Sequence, residues 1–272
     1  MDVDFTQRWR ERKAFFVQNR RFFDPRIHEV ARVAEKQARE FVAREHYLPD
    51  FPSAKLCIGL YRLDKLTGVA VFGTPQHNNT ILKTFNVSSV NDGVVLSRIV
   101  LLDTEEMNAE SYFLARCREM LKQAGYAGLV TFSDDTPKYD ANGKLIFPGH
   151  LGIQFRAGNA VYLGRSSPSS EYVFADGQIL SNRAFSKLTN NESGWRYAAN
   201  KFAERGASRC PEKPGERREW AEFWRTKLTR KTRSPGKLKY AWSLHLKIVL
   251  PPGQPYPRYR FADVQRRLNC CE

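Results

Sequence analysis

No apolar run in the chain reaches the length of a membrane-spanning helix, and the opening residues, MDVDFTQRWRERK, hold no apolar stretch of the kind a secretory leader needs. Cysteine is sparse. Cys57, Cys117, Cys210, Cys270 and Cys271 are odd in number and scattered in spacing, and no CxxC pair occurs. That pattern argues against a disulfide framework and against structural zinc. It suits a reducing cytoplasm, with Cys270 and Cys271 expected as exposed thiols. Acidic residues are also in short supply: 29 Asp and Glu face 44 Lys and Arg, a formal net charge of +15. No internal repeat is found.

A cationic excess of this size repels itself in a compact chain, so a polyanionic partner is its natural counterpart. Nucleic acid answers that need through phosphate contacts and counterion release. An anionic membrane surface fits less well, because the basic residues do not gather on one long amphipathic helix with a bulky apolar face. A generically basic protein is the plain alternative. The hydrophobic content of 42% is that of a folded chain, and 272 residues suffice for one large core with a substantial appendage.

Periodicity outlines that core. Residues 1–24 form a basic arm in which Trp9, Phe15, Phe16, Phe22 and Phe23 interleave with arginines. Asp24-Pro25 is suited to start a helix, and Ile27, Val30, Ala31, Ala34, Ala38, Phe41 and Val42 follow helical spacing to about Arg44. His46 and Tyr47 then fall in a loop. Strands are expected at 56–61, 68–72, 94–102 and 127–133, with a helix over 108–124 capped by Asn108 and ended by Gly125. A turn-rich loop covers 136–149, a short helix 151–157, and strands 161–164 and 172–174. Asp176-Gly177 is a hairpin signal. From about 180 the chain becomes polar, basic and helical to 239, followed by a strand over 240–250 and an extended Pro-rich tail over 251–272. The order places an α/β core over 25–180, a mixed central sheet flanked by helices, with a basic and mainly helical elaboration over 181–250. That element order is the order of a GNAT-type acyltransferase core, an analogy of order that does not itself give function.

Several segments carry a family likeness: REHY (44–47), GVAVFG (68–73), LSRIVLLD (96–103), NAESYFLARC (108–117), VTFSDD (130–135), PGHLGIQFRAGNAVYLGR (148–165), DGQILSNRAFSK (176–187) and PGKLKYAW (235–242). Taken in order, they resemble the Mom family of bacteriophage DNA-modification proteins. The resemblance implies a GNAT-like enzyme in the cytoplasm of the infected host cell that installs a carbamoylmethyl-type group on the exocyclic N6 of adenine, so that the DNA resists host restriction. It also implies acetyl-CoA as donor and an iron ion, and it carries activity onto His46, Tyr47 and Asp134.

The residue types allow that chemistry. Adenine in a duplex is stacked, so its amine becomes reachable only when the base is extruded. Asp134, at the end of a central strand, can act as a general base or hold a cation; it can equally cap the turn before Pro137. His46 can titrate or bind a metal, or it can simply cover a helix C-terminus. Tyr47 can stack on a base or donate a hydrogen bond. A metal held by His46, Tyr47 and Asp134 would have hard oxygen and nitrogen ligands acceptable to iron, but no HxD or HxxxH spacing supports it.

His150, Gln154, Asn159, Tyr162 and Arg165 are candidates for recognising the base or the acyl donor, since amides can pair with an adenine edge. Locally, Asn159 can instead occupy a left-handed turn and Tyr162 a core strand. Tyr240 and Trp242 are candidate stacking faces on the same terms. In LDTEEMNAESY the loop before the 108–124 helix has no glycine and carries Asp103, Glu105, Glu106 and Glu110. These acids repel a CoA pyrophosphate at that helix start. CoA therefore binds differently, with Arg98, Asn108 and Ser111 as its remaining contacts, or the activated donor is another compound such as an aminoacyl-tRNA. The basic stretch 183–239 is the expected surface for double-stranded DNA, with tRNA as a further partner. Two other readings compete: a GNAT N-acyltransferase acting on a small-molecule or protein amine, and a DNA-binding protein without catalysis.

Overall fold

The computed structural model describes residues 5–18, 23–106 and 108–259, with residues 5, 6 and 15–18 described by their backbone alone. The side chains of Phe15, Phe16 and Phe22 and the terminal Cys270 and Cys271 lie outside the described residues. In chain order the elements are β1 (Phe5–Arg10), β2 (Lys13–Gln18), β3 (His28–Arg32), α1 (Glu35–Glu45), β4 (Leu56–Arg62), β5 (Lys65–Gly73), α2 (Asn79–Phe85), β6 (Gly93–Leu101), α3 (Ala109–Gln123) and β7 (Gly128–Ser133). They continue with β8 (Lys138–Tyr139), β9 (Leu145–Phe147), α4 (Ile153–Ala157), β10 (Val161–Arg165), β11 (Ser169–Phe174), β12 (Ile179–Leu180), α5 (Asn182–Thr189), α6 (Trp195–Ala203), α7 (Pro214–Leu228), β13 (Thr229–Ser234) and β14 (Leu238–Ser243).

The fold is mixed α/β, as expected, around one large sheet in the order β10-β14-β7-β6-β5-β4-β3. Every neighbouring pair in it is antiparallel except β6 and β7, which run parallel from Gly93 opposite Gly128 to Leu96 opposite Thr131. Strands β6 and β7 read as continuous apolar runs because both faces are covered. Val94, Leu96 and Leu129 join Phe113, Leu114, Cys117 and Leu121 of α3 on one face. Val95, Val130 and Ala241 meet Ile81 and Phe85 of α2 on the other. Successive strand residues thus alternate between two cores.

Helix α2 was not foreseen, being short and only weakly periodic. Its seat is a pair of glycines that face each other across β6 and β7: a Cβ on Gly93 would meet Ile81 at 2.8 Å, and one on Gly128 would overlap the Phe85 ring. The first expected helix is also corrected. Asp24 does cap a turn, accepting from the Arg26 amide, but that turn is a 3-10 turn of three residues. The chain then extends into β3, which pairs with β4 and buries His28, before α1 begins at Glu35. Sheet pairing overrides a helical spacing that Val30 and Ala31 satisfy only by coincidence. Asn108 precedes α3 but adopts a left-handed conformation (φ 68°) and makes no side-chain cap. The last strand ends at Ser243 rather than near Leu250, and the basic region contributes β13 as well as helices.

The chain divides into two compact units. Among the described residues, the first comprises those within 5–135, 149–166 and 237–259, and the second those within 136–148 and 167–236. The composition change near residue 180 therefore lies inside the second unit. That unit contains the β8–β9 hairpin, the sheet β12-β11-β13 and helices α5 to α7 around a core of Phe174, Leu188, Phe202 and Trp220. The longer excursion leaves the large sheet after β10 and returns on the adjacent β14, where the Ser166 amide donates to the Lys237 carbonyl (2.8 Å) and the Lys237 amide to Ser166 Oγ (2.9 Å). The tail over 251–259 has no regular structure, yet the Gln254 amide donates to the Tyr162 carbonyl (2.8 Å) on edge strand β10. Among the described residues no helix is long and apolar enough to cross a membrane.

The glycine notch gives a direct test. Gly128→Ala places a methyl group inside the volume of the Phe85 ring, which is fully enclosed and has nowhere to turn. A loss of about 1–3 kcal/mol of unfolding free energy is expected, the usual range for overpacking. Denaturant unfolding measures it; an unchanged midpoint would show that α2 is not seated on β7.

Candidate active site

The parallel pair β6–β7 ends early. Thr131 Oγ1 donates to the Leu96 carbonyl (3.1 Å), and beyond this point β7 pairs only with β14. On β6 the register with β5 skips one residue at Ser97, between Val71 opposite Arg98 and Phe72 opposite Leu96. Such a bulge bends its strand. The two strands therefore separate, and Arg98 on β6 and the Ser133–Asp134 end of β7 border the gap.

His46 caps the C-terminus of α1, its amide donating to the Val42 carbonyl (3.0 Å). Its ring is buried and stacks on Tyr47 with centroids 4.3 Å apart. His46 Nδ1 lies within hydrogen-bonding distance of both the Leu48 amide (3.0 Å) and the Leu48 carbonyl (3.2 Å), so the Leu48 backbone fixes the ring's orientation. Burial, with Arg98 and His150 nearby, pushes the His46 pKa well below its ordinary value. Tyr47 is half-buried, and burial raises its pKa, so it stays protonated as a donor. Arg98 donates to the Ser97 carbonyl (2.7 Å) and the Asp50 carbonyl (2.8 Å), which ties the loop after α1 to β6.

Asp134 is buried at the end of β7, and its carbonyl accepts from the His150 amide (2.7 Å). The Ser133 hydroxyl donates to the His150 carbonyl and lies 3.3 Å from His150 Nδ1, while His150 Nε2 is hydrogen-bonded to the Gln154 side-chain amide. Burial is the main cause of a His150 pKa lowered to about 4, with the Gln154 hydrogen bond and the charge of Asp134 acting the other way. Its ring lies 6.4 Å from that of Tyr47. Tyr47 and His150 both feel the Asp134 charge. His46, Tyr47, Arg98, Asp134, His150 and Gln154, drawn from four separate segments, thus share one neighbourhood.

Other candidates lie elsewhere in structural terms. Asn159 is an exposed left-handed residue after α4 (φ 58°), and Tyr162 is buried in β10, so both follow their local alternatives. Arg165 makes a two-pronged contact with Asp135 (2.8 and 2.7 Å), which also accepts from Tyr259 (2.9 Å). Tyr240 and Trp242 belong to the core, with the Trp242 indole donating to the Gly158 carbonyl (2.7 Å). Asn108 and Ser111 sit at the head of α3 among the acids.

Each of those acids has a basic partner. Arg10 pairs with Asp103, His28 with Glu105 (2.8 Å), Arg62 with Glu106 (3.9 Å) and Arg8 with Glu110. Arg8 also donates to the Glu106 carbonyl (2.9 Å) and is 1% exposed. Desolvation lowers its pKa to about 10, which leaves it charged at neutral pH. The head of α3 is thus an acidic seat already filled by guanidinium, and it does not fit a CoA pyrophosphate. Among the described residues no three His, Cys, Asp or Glu side chains converge as metal ligands, a count that leaves Tyr47 aside. Trp9 was overlooked in the sequence. Its ring packs on Tyr47 (4.6 Å) and lies 6.4 Å from His46. The only signal was an aromatic residue amid arginines, and the β1–β2 turn at Glu11-Arg12, both at positive φ, contains no glycine to announce a hairpin.

Residues 28–213 match the Mom protein family. The chain belongs to this family. As a Mom-type phage DNA-modification protein it acts on DNA. Nothing among curated proteins matches it. The Mom match runs from β3 to the residue before α7, and so contains every residue of the shared neighbourhood; the β1–β2 hairpin and PGKLKYAW fall outside it.

In the second unit many cations have internal tasks. Arg217 is buried over Trp195 (3.5 Å) and donates to Asn191 (2.7 Å). Arg205 pairs with Asp176 and lies over Phe174 (4.3 Å), and Arg225 pairs with Glu222 and lies over Tyr172 and Phe185 (4.4 Å each). Trp220 packs in the unit's core. By contrast Arg230, Lys231 and Arg233 of β13 are exposed. Lys231, Thr232 and Arg233 line a depression of about 460 Å³ with Pro168, Ser169 and Ser170.

The two buried histidines set a pH dependence. Each binds its proton less readily folded than unfolded, so their contribution is fully present above pH 6.5 and is lost as pH falls toward the folded pKa, about 4 for His150. His150 alone should withdraw roughly 3 kcal/mol over that window. Unfolding titrations of wild type and His150→Gln should diverge in slope below pH 6.5; parallel curves would mean that His150 is not buried neutral.

Proposed function

We propose that the chain is a GNAT-like transferase that adds a carbamoylmethyl-type group to N6 of adenine in phage DNA and so shields that DNA from restriction in the infected host cell. The observation that carries the reading is the convergence of His46, Tyr47 and Asp134 where β6 and β7 part. The open end of separating strands is where α/β sheets gather reactive groups. The GNAT-like assignment is further supported by the element order and by the bulged, diverging parallel pair.

In this reading an extruded adenine enters beside Tyr47. The N6 amine attacks the electrophilic carbon of an activated donor, the donor's leaving group departs with the bonding electrons, and the Asp134 carboxylate takes the proton released from nitrogen. Tyr47, kept protonated by burial, donates to the developing negative charge. Neutral His46 keeps Tyr47 stacked. Arg98 supplies fixed positive charge and holds the loop. His150, fastened by Ser133 and Gln154, completes the wall. Acetyl-CoA by itself would deliver an acetyl group without the amide nitrogen, so a nitrogen-bearing activated donor such as an aminoacyl-tRNA suits the carbamoylmethyl-type product, with its phosphates away from the acid-filled head of α3. The DNA backbone is held by the second unit, chiefly through the uncommitted cations of β13 rather than through Arg205, Arg217 or Arg225.

Nucleoside mass spectrometry of plasmid DNA from expressing cells tests the chemistry. A modified deoxyadenosine is expected with wild type. Asp134→Ala should abolish it, and Tyr47→Phe and His46→Ala should each lower it about 10²-fold or more, the scale of a lost acid–base group or oxyanion donor. Unmodified DNA from well-expressed wild type would sink the reading. For DNA holding, the log-log salt slope of duplex affinity should fall by about 0.9 per neutralised residue when Arg230, Lys231 and Arg233 are replaced by Gln. An unaltered slope would place the phosphate contacts elsewhere.

A further inference from the structure

The β1–β2 hairpin lies outside the Mom match, yet it touches the loop after α1, the segment at Gly149–His150 and the end of β6. Side chains alternate along β1. Gln7 and Trp9 lie on one face: Gln7 donates to the Gly149 carbonyl (2.8 Å), next to His150, and Trp9 packs on Tyr47. Arg8 and Arg10 lie on the other face and fasten to Glu110, the Glu106 carbonyl and Asp103. The turn grips the end of α1, with the Glu11 amide donating to Glu45 Oε2 (2.9 Å), the Arg12 amide to the Glu45 carbonyl (3.2 Å) and Arg12 Nε to the Ala43 carbonyl (3.0 Å). Glu45 immediately precedes His46. The backbone of Trp9 bridges Leu102 in parallel, just past the end of β6. The hairpin therefore occupies the side of β6 that β7 vacates.

We infer that this hairpin is a working wall of the site and that Trp9 is a positioning residue, whose ring fixes Tyr47 and, through it, His46. The inference rests on the reading of that pair as reactive groups. Tyr47 has no regular structure to hold it, since it follows the last turn of α1 and lies in a loop that runs to Leu56. Its ring meets those of His46, Trp9 and His150. Of these, Trp9 has the largest face and the firmest mooring, because the arginines on either side of it are bound to acids. The charge pairing at the head of α3 thus has a purpose at the site: it presses the Trp9 ring inward. Removing the ring leaves a space into which Tyr47 can turn, and small displacements of a reacting group lower rates steeply.

The test compares Trp9→Leu, which keeps apolar volume without a ring, with Trp9→Phe, which keeps a ring, in the full-length chain. Plasmid modification should fall about tenfold or more in Trp9→Leu and stay within about threefold of wild type in Trp9→Phe, as expected for displacement of a reacting group. Both variants shorten a buried side chain and should lower the melting temperature by a few degrees while remaining folded at the assay temperature, and duplex affinities should match across the three proteins. Equal activity in Trp9→Leu and wild type, or equal loss in both variants, would overturn the inference. A second measurement is independent of activity. Fluorine NMR of protein labelled with 5-fluorotryptophan, with the Trp9 signal assigned from its loss in Trp9→Phe, should show that signal alone moving in Tyr47→Leu. A stationary signal would overturn the contact itself. A wild type that modifies no DNA would instead count against the proposed chemistry, while the fluorine result would still decide the packing.

Discussion

Two strands that run together for four residues and then separate set the conditions for everything at the candidate site. Between Leu96 and Thr131 the parallel ladder of β6 and β7 is closed by a threonine hydroxyl, and the bulge at Ser97 turns β6 away. Parted strands leave backbone groups and apolar side chains that require new partners. The partners found here are the loop after α1, clamped by Arg98; the Asp134–His150 junction, clamped by Ser133; and the β1–β2 hairpin. The reactive groups stand at the opening because the structural groups are drawn there.

Charge organises the same region in a second way. A chain with a large cationic excess spends part of it internally, on the four acids at the head of α3 and on aromatic faces in the second unit. A buried guanidinium–carboxylate contact such as Arg8–Glu110 adds little net stability compared with an apolar pair of the same volume, but losing one partner strands a charge, at a cost of about 3–5 kcal/mol. It therefore specifies geometry more than it stabilises. That distinction removes the helix start as a phosphate seat and directs attention to cations without such duties.

The sheet was legible where periodicity and burial agree. Strands β4, β5, β6 and β7 and helix α3 follow from apolar runs and from the turn at Gly125, and the placement of His46-Tyr47 after a helix and of Asp134 at a strand end follows from the same signals. Three things were not legible. Ile27 to Val42 keep a helical spacing that strand pairing interrupts at β3. Helix α2 depends on Gly93 and Gly128 facing each other, a long-range coincidence invisible along the chain. Trp9 depends on arginines meeting acids almost a hundred residues away, and charge alone suggested solvent or DNA for those arginines. Sequence pattern reports periodicity and local turns; it reports pairings between distant segments only when a family likeness supplies them.

The seam at Ser166 and Lys237 bears on how the protein is made. Strand β14 lies between β7 and β10, yet it is synthesised after the whole long excursion. Until then β7 presents an unpaired, largely apolar edge, Gly128 to Ser133, and β10 has no neighbour. Contacts of such long sequence separation form slowly, and open edges invite pairing with other chains. During translation the emerging polypeptide therefore carries a half-built sheet, and its last-made strand works as a keystone. Truncations within the basic excursion would remove not only charge but the piece that closes the sheet.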